Sequence, residues 1–317
     1  MLPGPRIPIR SLAATLVLVF SFAAFGQETG SHQHPVHVSG RLVDSQGAPY
    51  SALTVVFIST VGTNYTTAHV DTDQTGSFDI ELQPHIGYNV SLSVPKSSTL
   101  TIGKFSFGEV QDADLGVLRL DSLANGDLTL HAPRPQFRGS ADSNRSAGTS
   151  GTTISAIYID CPHANDDCRD ARAHIFMADG TEVTPPLEKK QVGASQPQVS
   201  FDNRSGGWLV DFDNCCTSYP LSLPLVIYRP GKPLLTFSGD KRAIFDWHFF
   251  EGKKRFAMCQ EFPHGKLMPH YELHDVDSGR LLGEWDVNDS DDGKNIQTPN
   301  APAPKAPAWV SSFVGNC

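Results

Sequence analysis

Cysteine is missing from the whole of this chain before Cys161. All six cysteines come late: Cys161, Cys168, Cys215, Cys216, Cys259 and Cys317. The first half must therefore hold its fold by core packing alone. An even count in the second half points to disulfides, which are chemistry of an exported protein, although the pairing cannot be read from spacing. Long apolar runs are absent after Gly26, so nothing beyond it matches the ~20 residues a membrane helix needs. A basic surplus is absent as well, because 25 Lys and Arg face 34 Asp and Glu for a formal charge of −9. Nucleic-acid binding needs a basic footprint, and anionic membrane surfaces repel an acidic chain. Helical periodicity is nearly absent too. Period-two alternation and glycine-centred turns take its place, and they predict an all-β protein.

Residues 1–26 have the layout of a signal peptide. Arg6 and Arg10 form a basic start, Leu12 to Phe25 is an unbroken apolar-rich run, and Ala24-Phe25-Gly26 places small residues where a signal peptidase reads. The expected mature chain is Gln27 to Cys317, secreted or periplasmic, with no integral membrane segment left. Loss of the two arginines takes its charge from −9 to −11, since residues 1–26 carry no acidic side chain.

Two low-complexity stretches divide the remainder. Pro133 to Thr153 is rich in Ser, Gly, Arg and Asn, with too little apolar surface to offset its ordering entropy, and 132–152 reads as a flexible linker. Residues 288–317 pass from an acidic patch into Ala-Pro alternation and end in Trp309-Val310-Ser311-Ser312-Phe313-Val314 and Cys317. The expected domains are 36–131 and 153–287.

Within the first domain, Val36, Val38 and Gly40 share one strand face. Leu53 to Ile58, Phe78 to Leu82 and Tyr88 to Val94 read as further strands, and Asp73-Gln74-Thr75-Gly76 as a hairpin turn. Three segments carry a family likeness: His37-Val38-Ser39-Gly40-Arg41-Leu42-Val43-Asp44-Ser45-Gln46-Gly47-Ala48-Pro49, then Thr72-Asp73-Gln74-Thr75-Gly76-Ser77-Phe78, then Leu115-Gly116-Val117-Leu118-Arg119-Leu120. Residues 37–120 resemble the regulatory domain of metallocarboxypeptidases, a prealbumin (transthyretin)-like fold. The resemblance implies a seven-stranded β-sandwich. It covers the accessory domain only and carries no hydrolytic activity with it. Neither His-Glu-x-x-His nor Gly-x-Ser-x-Gly occurs in the chain. The related starch-binding-like fold makes carbohydrate a ligand class by analogy of fold alone.

The second half contains an internal repeat. Hairpins centred on Gly180, Gly231 and Gly279 recur at nearly equal spacing, and each follows an apolar strand: Ile154 to Asp160, Trp208 to Phe212 and Lys254 to Met258. A period near 50 with several strands per unit is similar to β-propeller blades, yet three units fall short of the usual four. The reading is a repeat-based antiparallel β domain, with cysteines just after the second strand of each unit. Those cysteines either cross-link one rim or form local bridges such as Cys161 to Cys168.

Candidate site residues are few. His270, Glu272 and His274 share one strand face by period two, and His264 sits in the loop before them. Such a set could bind a cation or a sugar hydroxyl, and the plainer reading is the polar face of an edge strand. His32, His34 and His37 have metal-ligand character but read as a solvated tail. Asp71, Asp73, Thr75 and Gly76 echo a calcium loop whose bidentate Glu is out of register, as does the segment from Asp286 to Gly293. Trp208, Trp247 and Trp285 fall on strands and read as core. No metal or cofactor site is assigned.

The leading reading is an exported, non-catalytic binding or scaffold protein with a glycan or a cell-envelope protein as partner. A metal-dependent activity around Glu261 to His270 and a protein-interaction module are the alternatives. Mass spectrometry of the exported protein is expected to find Gln27 at the N-terminus.

Overall fold

The computed structural model describes residues 34–59, 66–95, 99–108, 110–122, 128–139, 152–162, 168–214, 217–239, 242–263, 269–287 and 306–313. They are all-β, as composition and alternation predict, and among them no helix is long and apolar enough to cross a membrane.

Eight strands build the N-terminal sandwich, one more than the family likeness implies: β1 (Val36–Asp44), β2 (Thr54–Ser59), β3 (Thr67–Asp71), β4 (Ser77–Leu82), β5 (Gly87–Ser93), β6 (Leu100–Phe107), β7 (Val110–Ser122) and β8 (Leu128–His131). Strands β4-β1-β7-β8 form one sheet, in which β1 and β7 run parallel and the other pairs antiparallel. Strands β6-β5-β2-β3 belong to the other. Alternation sets the core: Val36, Val38 and Leu42 of β1 face Val55, Phe57, Val90, Leu92, Phe105 and Phe107, all buried. Removing such side chains from water contributes roughly 1.5–3 kcal/mol each, so this half needs no disulfide.

The segment after β8 departs from the expected linker at its start. β9 (Gln136–Gly139) pairs with β7, and Phe137 packs against Phe107 and Phe176, with centroids 6.3 and 4.6 Å away. One well-placed aromatic and a free strand edge suffice where average composition argues for a linker. Residues 140–151 lie outside the described part.

The sandwich also continues into the repeats. β10 (Ile154–Asp160), β11 (Ala173–Met177) and β12 (Glu182–Val183) extend the second sheet, giving the order β12-β11-β10-β6-β5-β2-β3. The boundary read between 131 and 153 thus falls inside one continuous sheet. β13 (Gln191–Val199), β14 (Gly206–Phe212), β15 (Leu221–Tyr228) and β16 (Leu235–Ser238) form a third sheet. β17 (Ala243–Phe249), β18 (Arg255–Glu261), β19 (His270–Asp275) and β20 (Leu281–Asp286) form a fourth. Each unit has four antiparallel strands, and the first borrows its inner strand, β6, from the sandwich. The three turn glycines adopt φ of +84°, +72° and +71°, the left-handed conformation their hairpins need.

The inner strands β6, β13 and β17 touch in sequence. Val199 N–H donates to Ser106 Oγ at 3.0 Å, Gln196 Nε2 donates to the Phe245 carbonyl at 2.9 Å, and Trp247 Nε1 donates to the Gln196 carbonyl at 3.1 Å. Trp208 and Trp247 are core residues as expected, while Trp285 is partly buried.

Cys161 and Cys168 form a disulfide, the local bridge rather than a rim cross-link. Cys259 is also disulfide-bonded and lies within β18, because that strand runs on to Glu261. Cys215, Cys216 and Cys317 lie outside the described residues.

Sheets stack through a glycine pair in β14. The side-chain position of Gly206 is filled by Ile157 from the second sheet, and that of Gly207 by Trp247 from the fourth. A Cβ on Gly207 would lie 2.7 Å from the indole and 2.9 Å from the Val226 carbonyl, neither free to move, whereas on Gly206 it meets the terminal methyl of Ile157. Overpacking of this kind costs about 1–3 kcal/mol. Gly207→Ala is expected at the upper end of that range and Gly206→Ala at the lower, as read from urea-unfolding midpoints.

Candidate functional site

The predicted histidine row exists, but it is not an open site. β19 is the third strand of its sheet, flanked by β18 and β20, so it is not an edge strand. His270 and His274 are buried at 9% and 6% exposure, on the face turned toward the third sheet. His274 stacks on Phe256 at 5.2 Å and lies 4.8 Å from Phe237 of β16. This correction has a simple cause: period two places residues on a common face but does not say which face is covered.

Glu272 bridges the two rings, with His270 Nε2 3.1 Å from one carboxylate oxygen and His274 Nε2 2.8 Å from the other. His270 Nδ1 meets Asp286 at 2.8 Å, and His274 Nδ1 meets the Gly279 carbonyl at 3.1 Å. Each of the four ring nitrogens thus has a carboxylate or carbonyl oxygen within hydrogen-bond distance, so both rings are engaged within their own sheet. Burial pushes the Glu272 carboxyl up, but the hydrogen bonds from His274 and His270 outweigh it and hold the group below its usual range. The row is a closed polar clasp. His264 lies outside the described residues.

A second buried imidazole belongs to the first unit. His174 Nδ1 is 2.8 Å from Glu182, and Nε2 is 3.4 Å from Asp160. Burial pushes His174 down, yet its hydrogen bonds to Asp160 and Glu182 prevail and raise it. Sequence reasoning missed this pairing, since Asp160, His174 and Glu182 lie on three strands of the first unit.

One His-x-x-Glu pair, His248-Phe249-Phe250-Glu251, also escaped the motif reading. The spacing belongs to zinc sites, but residues three apart on a strand point to opposite faces. His248 is buried on β17 and Glu251 is exposed in the following turn. Among the described residues no three His, Cys, Asp or Glu side chains are grouped to hold a metal ion. His34 is exposed and His37 pairs with Asp79 and Glu81 across β1 and β4, at 3.8 and 3.5 Å, while His32 is outside the described part. Asp73 accepts from Thr75 N–H, Thr75 Oγ1 and Ser77 N–H at 2.7–2.9 Å, as a hairpin turn should.

A concave feature lies elsewhere, on the sandwich. A cavity of about 680 Å³ opens over β1, β4 and β7, lined by Ser39, Arg41, Ser77, Asp79, Asp114 and Val117, with Val70, Asp71 and Asp73 along one side. Alternation turns the β1 and β4 side chains outward. The hollow coincides with a bulge, where the register of β1 on β7 slips between Ser39 and Arg41 and Gly116 adopts φ +71°. Arg41 Nε donates to the Thr75 carbonyl at 2.9 Å, and Asp114 accepts from Gly116 N–H at 2.8 Å. The four carboxylates can accept from hydroxyl donors, and the guanidinium beside them can donate to a ring oxygen or a carboxylate. The signal was present in the sequence as Ser39, Arg41, Ser77 and Asp79 at alternate positions, but their convergence needed the β1–β4 register.

Comparison with models of known protein families gives no match, and neither does comparison with curated proteins.

The clasps predict opposite pH responses. A depressed Glu272 contributes stability above its unfolded value near 4.5, lost as pH falls through the folded one. A raised His174 contributes stability below about 6.5, lost as pH rises through the folded value. Urea midpoints should therefore fall on both sides of neutrality. Glu272→Gln is expected to flatten the acid limb, and His174→Gln the alkaline limb together with the part of the acid limb that comes from Asp160, which, despite its burial, His174 holds below its usual range.

Proposed function

We propose that this is an exported, non-catalytic binding protein that takes a polyhydroxylated ligand, a cell-envelope glycan, in the hollow over β1, β4 and β7. The observation that carries the reading is the hollow itself, whose lining brings Asp71, Asp73, Asp79 and Asp114 together with Arg41. Carboxylates take two hydroxyl donors each, guanidinium supplies donors in a fixed fork, and Val70 and Val117 offer apolar surface to sugar C–H groups. A hydrogen bond to a charged partner contributes about 1.5–3 kcal/mol, so a few suffice for micromolar affinity.

Further support comes from the chain's layout. The N-terminal segment reads as a signal peptide, and the Cys161–Cys168 disulfide fits an oxidising compartment. The likeness of residues 37–120 to carboxypeptidase regulatory domains is part of the same proposal, as an accessory module without a peptidase. The buried tryptophans are not offered as sugar platforms, because Trp208 and Trp247 are core.

A glycan and cell-wall polysaccharide screen on the oxidised mature protein tests this. Selective binding is expected, with Arg41→Ala and Asp79→Asn each weakening it about tenfold or more and leaving the unfolding midpoint unchanged. Binding indifferent to both substitutions would move the site off the sandwich, and no binding to any glycan would end the carbohydrate reading.

A further inference from the structure

The hollow over β1, β4 and β7 takes its shape from one short side chain. Ser39 lies at its floor, with Asp79 of β4 and Asp114 of β7 as its cross-strand neighbours on either side. Two strand spacings set β4 and β7 about 10 Å apart there. Along β1 the same floor is bounded by His37 and Arg41, whose longer side chains share the outward face of Ser39. Val70 and Val117 add apolar surface to the lining. The site is therefore a trough with a guanidinium at one end, apolar surface in its wall and a carboxylate on each flank.

Its charge is not balanced from within. Asp71, Asp73, Asp79 and Asp114 stand against Arg41 alone, which leaves the lining with negative charge in excess. Among the described residues Arg41 forms no ion pair with any of the four, and its Nε donates to the Thr75 carbonyl at 2.9 Å instead. Asp71 Oδ1 accepts from Thr54 Oγ1 at 2.6 Å, and Asp114 Oδ1 from Gly116 N–H at 2.8 Å. Asp73 also uses Oδ1 alone, for its turn. Asp79 accepts no hydrogen bond among the described residues and lies 3.8 Å from His37 Nδ1. Each carboxylate thus keeps an oxygen for a ligand.

We propose that the hollow selects glycans carrying free amino groups, with ammonium seated over Ser39 in reach of Asp79 and Asp114. This rests on the glycan reading of the same hollow and adds to it the charge of the ligand. A neutral sugar leaves the excess charge uncompensated, and a uronic acid adds to it. An ammonium group supplies three donors together with the counter-charge, and charge-assisted hydrogen bonds are roughly twice as strong as neutral ones. N-acetylation removes that charge and replaces the donors with an amide. Arg41 meanwhile needs acceptors, which sugar hydroxyl and ring oxygens provide and lysine side chains do not.

Titration calorimetry of the oxidised mature protein tests this with a glucosamine oligomer and its fully N-acetylated counterpart of the same length. Mildly acidic buffer, above the ordinary carboxylate range, keeps the sugar amines protonated. Hydrogen bonds from the Thr75 side chain and the Ser77 backbone hold Asp73 below that range. The amine form is expected to bind about tenfold tighter or more, with the preference shrinking as salt is added. Asp79→Asn combined with Asp114→Asn should abolish the preference and leave the unfolding midpoint unchanged, since asparagine keeps an oxygen for Gly116 N–H. If the double variant does not fold, Asp79→Asn alone should reduce the preference.

Equal binding of the two oligomers, or tighter binding of the acetylated one, overturns the amine selection and leaves the glycan reading standing. Binding of other glycans but of neither oligomer has the same effect. No binding to any glycan removes both. A preference that survives intact in the folded Asp→Asn variant places the charge effect elsewhere on the chain and overturns the proposal. So does an oligolysine that binds as tightly as the glucosamine oligomer, because the hollow would then read cations and not sugars.

Discussion

The adjacent glycines of β14 are the constraint on which the stacking of the second half depends. A β-strand presents successive residues to opposite faces. Gly206 and Gly207 therefore open one gap on each side of the third sheet, and Ile157 and Trp247 fill them from its two neighbours. Sheets normally pack about 10 Å apart through interdigitating side chains. Here two side chains reach backbone on the middle sheet at a single step along the strand. The hydrophobic clusters follow that arrangement, one between the second and third sheets and one between the third and fourth.

The buried histidines and carboxylates beside these clusters are paired with one another. His174 closes a pair of carboxylates at the outer part of the first unit, and His270, Glu272 and His274 close the seam between the third and fourth sheets. Each is satisfied within its own sheet, so each locks the pairing of neighbouring strands at little cost in unpaired polar atoms. His248 differs from them in packing against the rings of Phe250 and Phe313. The hollow over β1, β4 and β7 uses none of these groups, which leaves its carboxylates and Arg41 free of any duty in the core.

What the sequence makes legible is local. The turn glycines at 180, 231 and 279, the strands around them and the turn at Asp73–Gly76 all follow from patterns a few residues long, and the structure places them as expected. Pairings between distant segments are another matter. Nothing in Leu100–Phe107 marks it as the inner strand of a repeat unit as well as a member of the sandwich, because its apolar pattern suits both roles. Phe137 is a lone aromatic in a polar stretch, and its partners Phe107 and Phe176 belong to distant strands on either side of it in the chain. The histidine row was found through strand period, but its burial depends on Phe237, from a different sheet. The hollow required the bulge at Gly116 and the register of three strands.

The shared strand β6 also sets an order of events. A nascent chain emerges N-terminus first, and the sandwich can close once β7 and β8 have appeared. At that moment β6 is an edge strand with unpaired backbone groups, and it stays so until Ile154–Asp160 arrives to pair with it. The repeat half then grows outward from a template already in place, each unit laid on the last. Cut away from the sandwich, the same repeats would lack their starting edge. Folding is in this sense divided along the chain: the second half is built on an edge supplied by the first, and it returns Ala156 and Tyr158 to the first half's core.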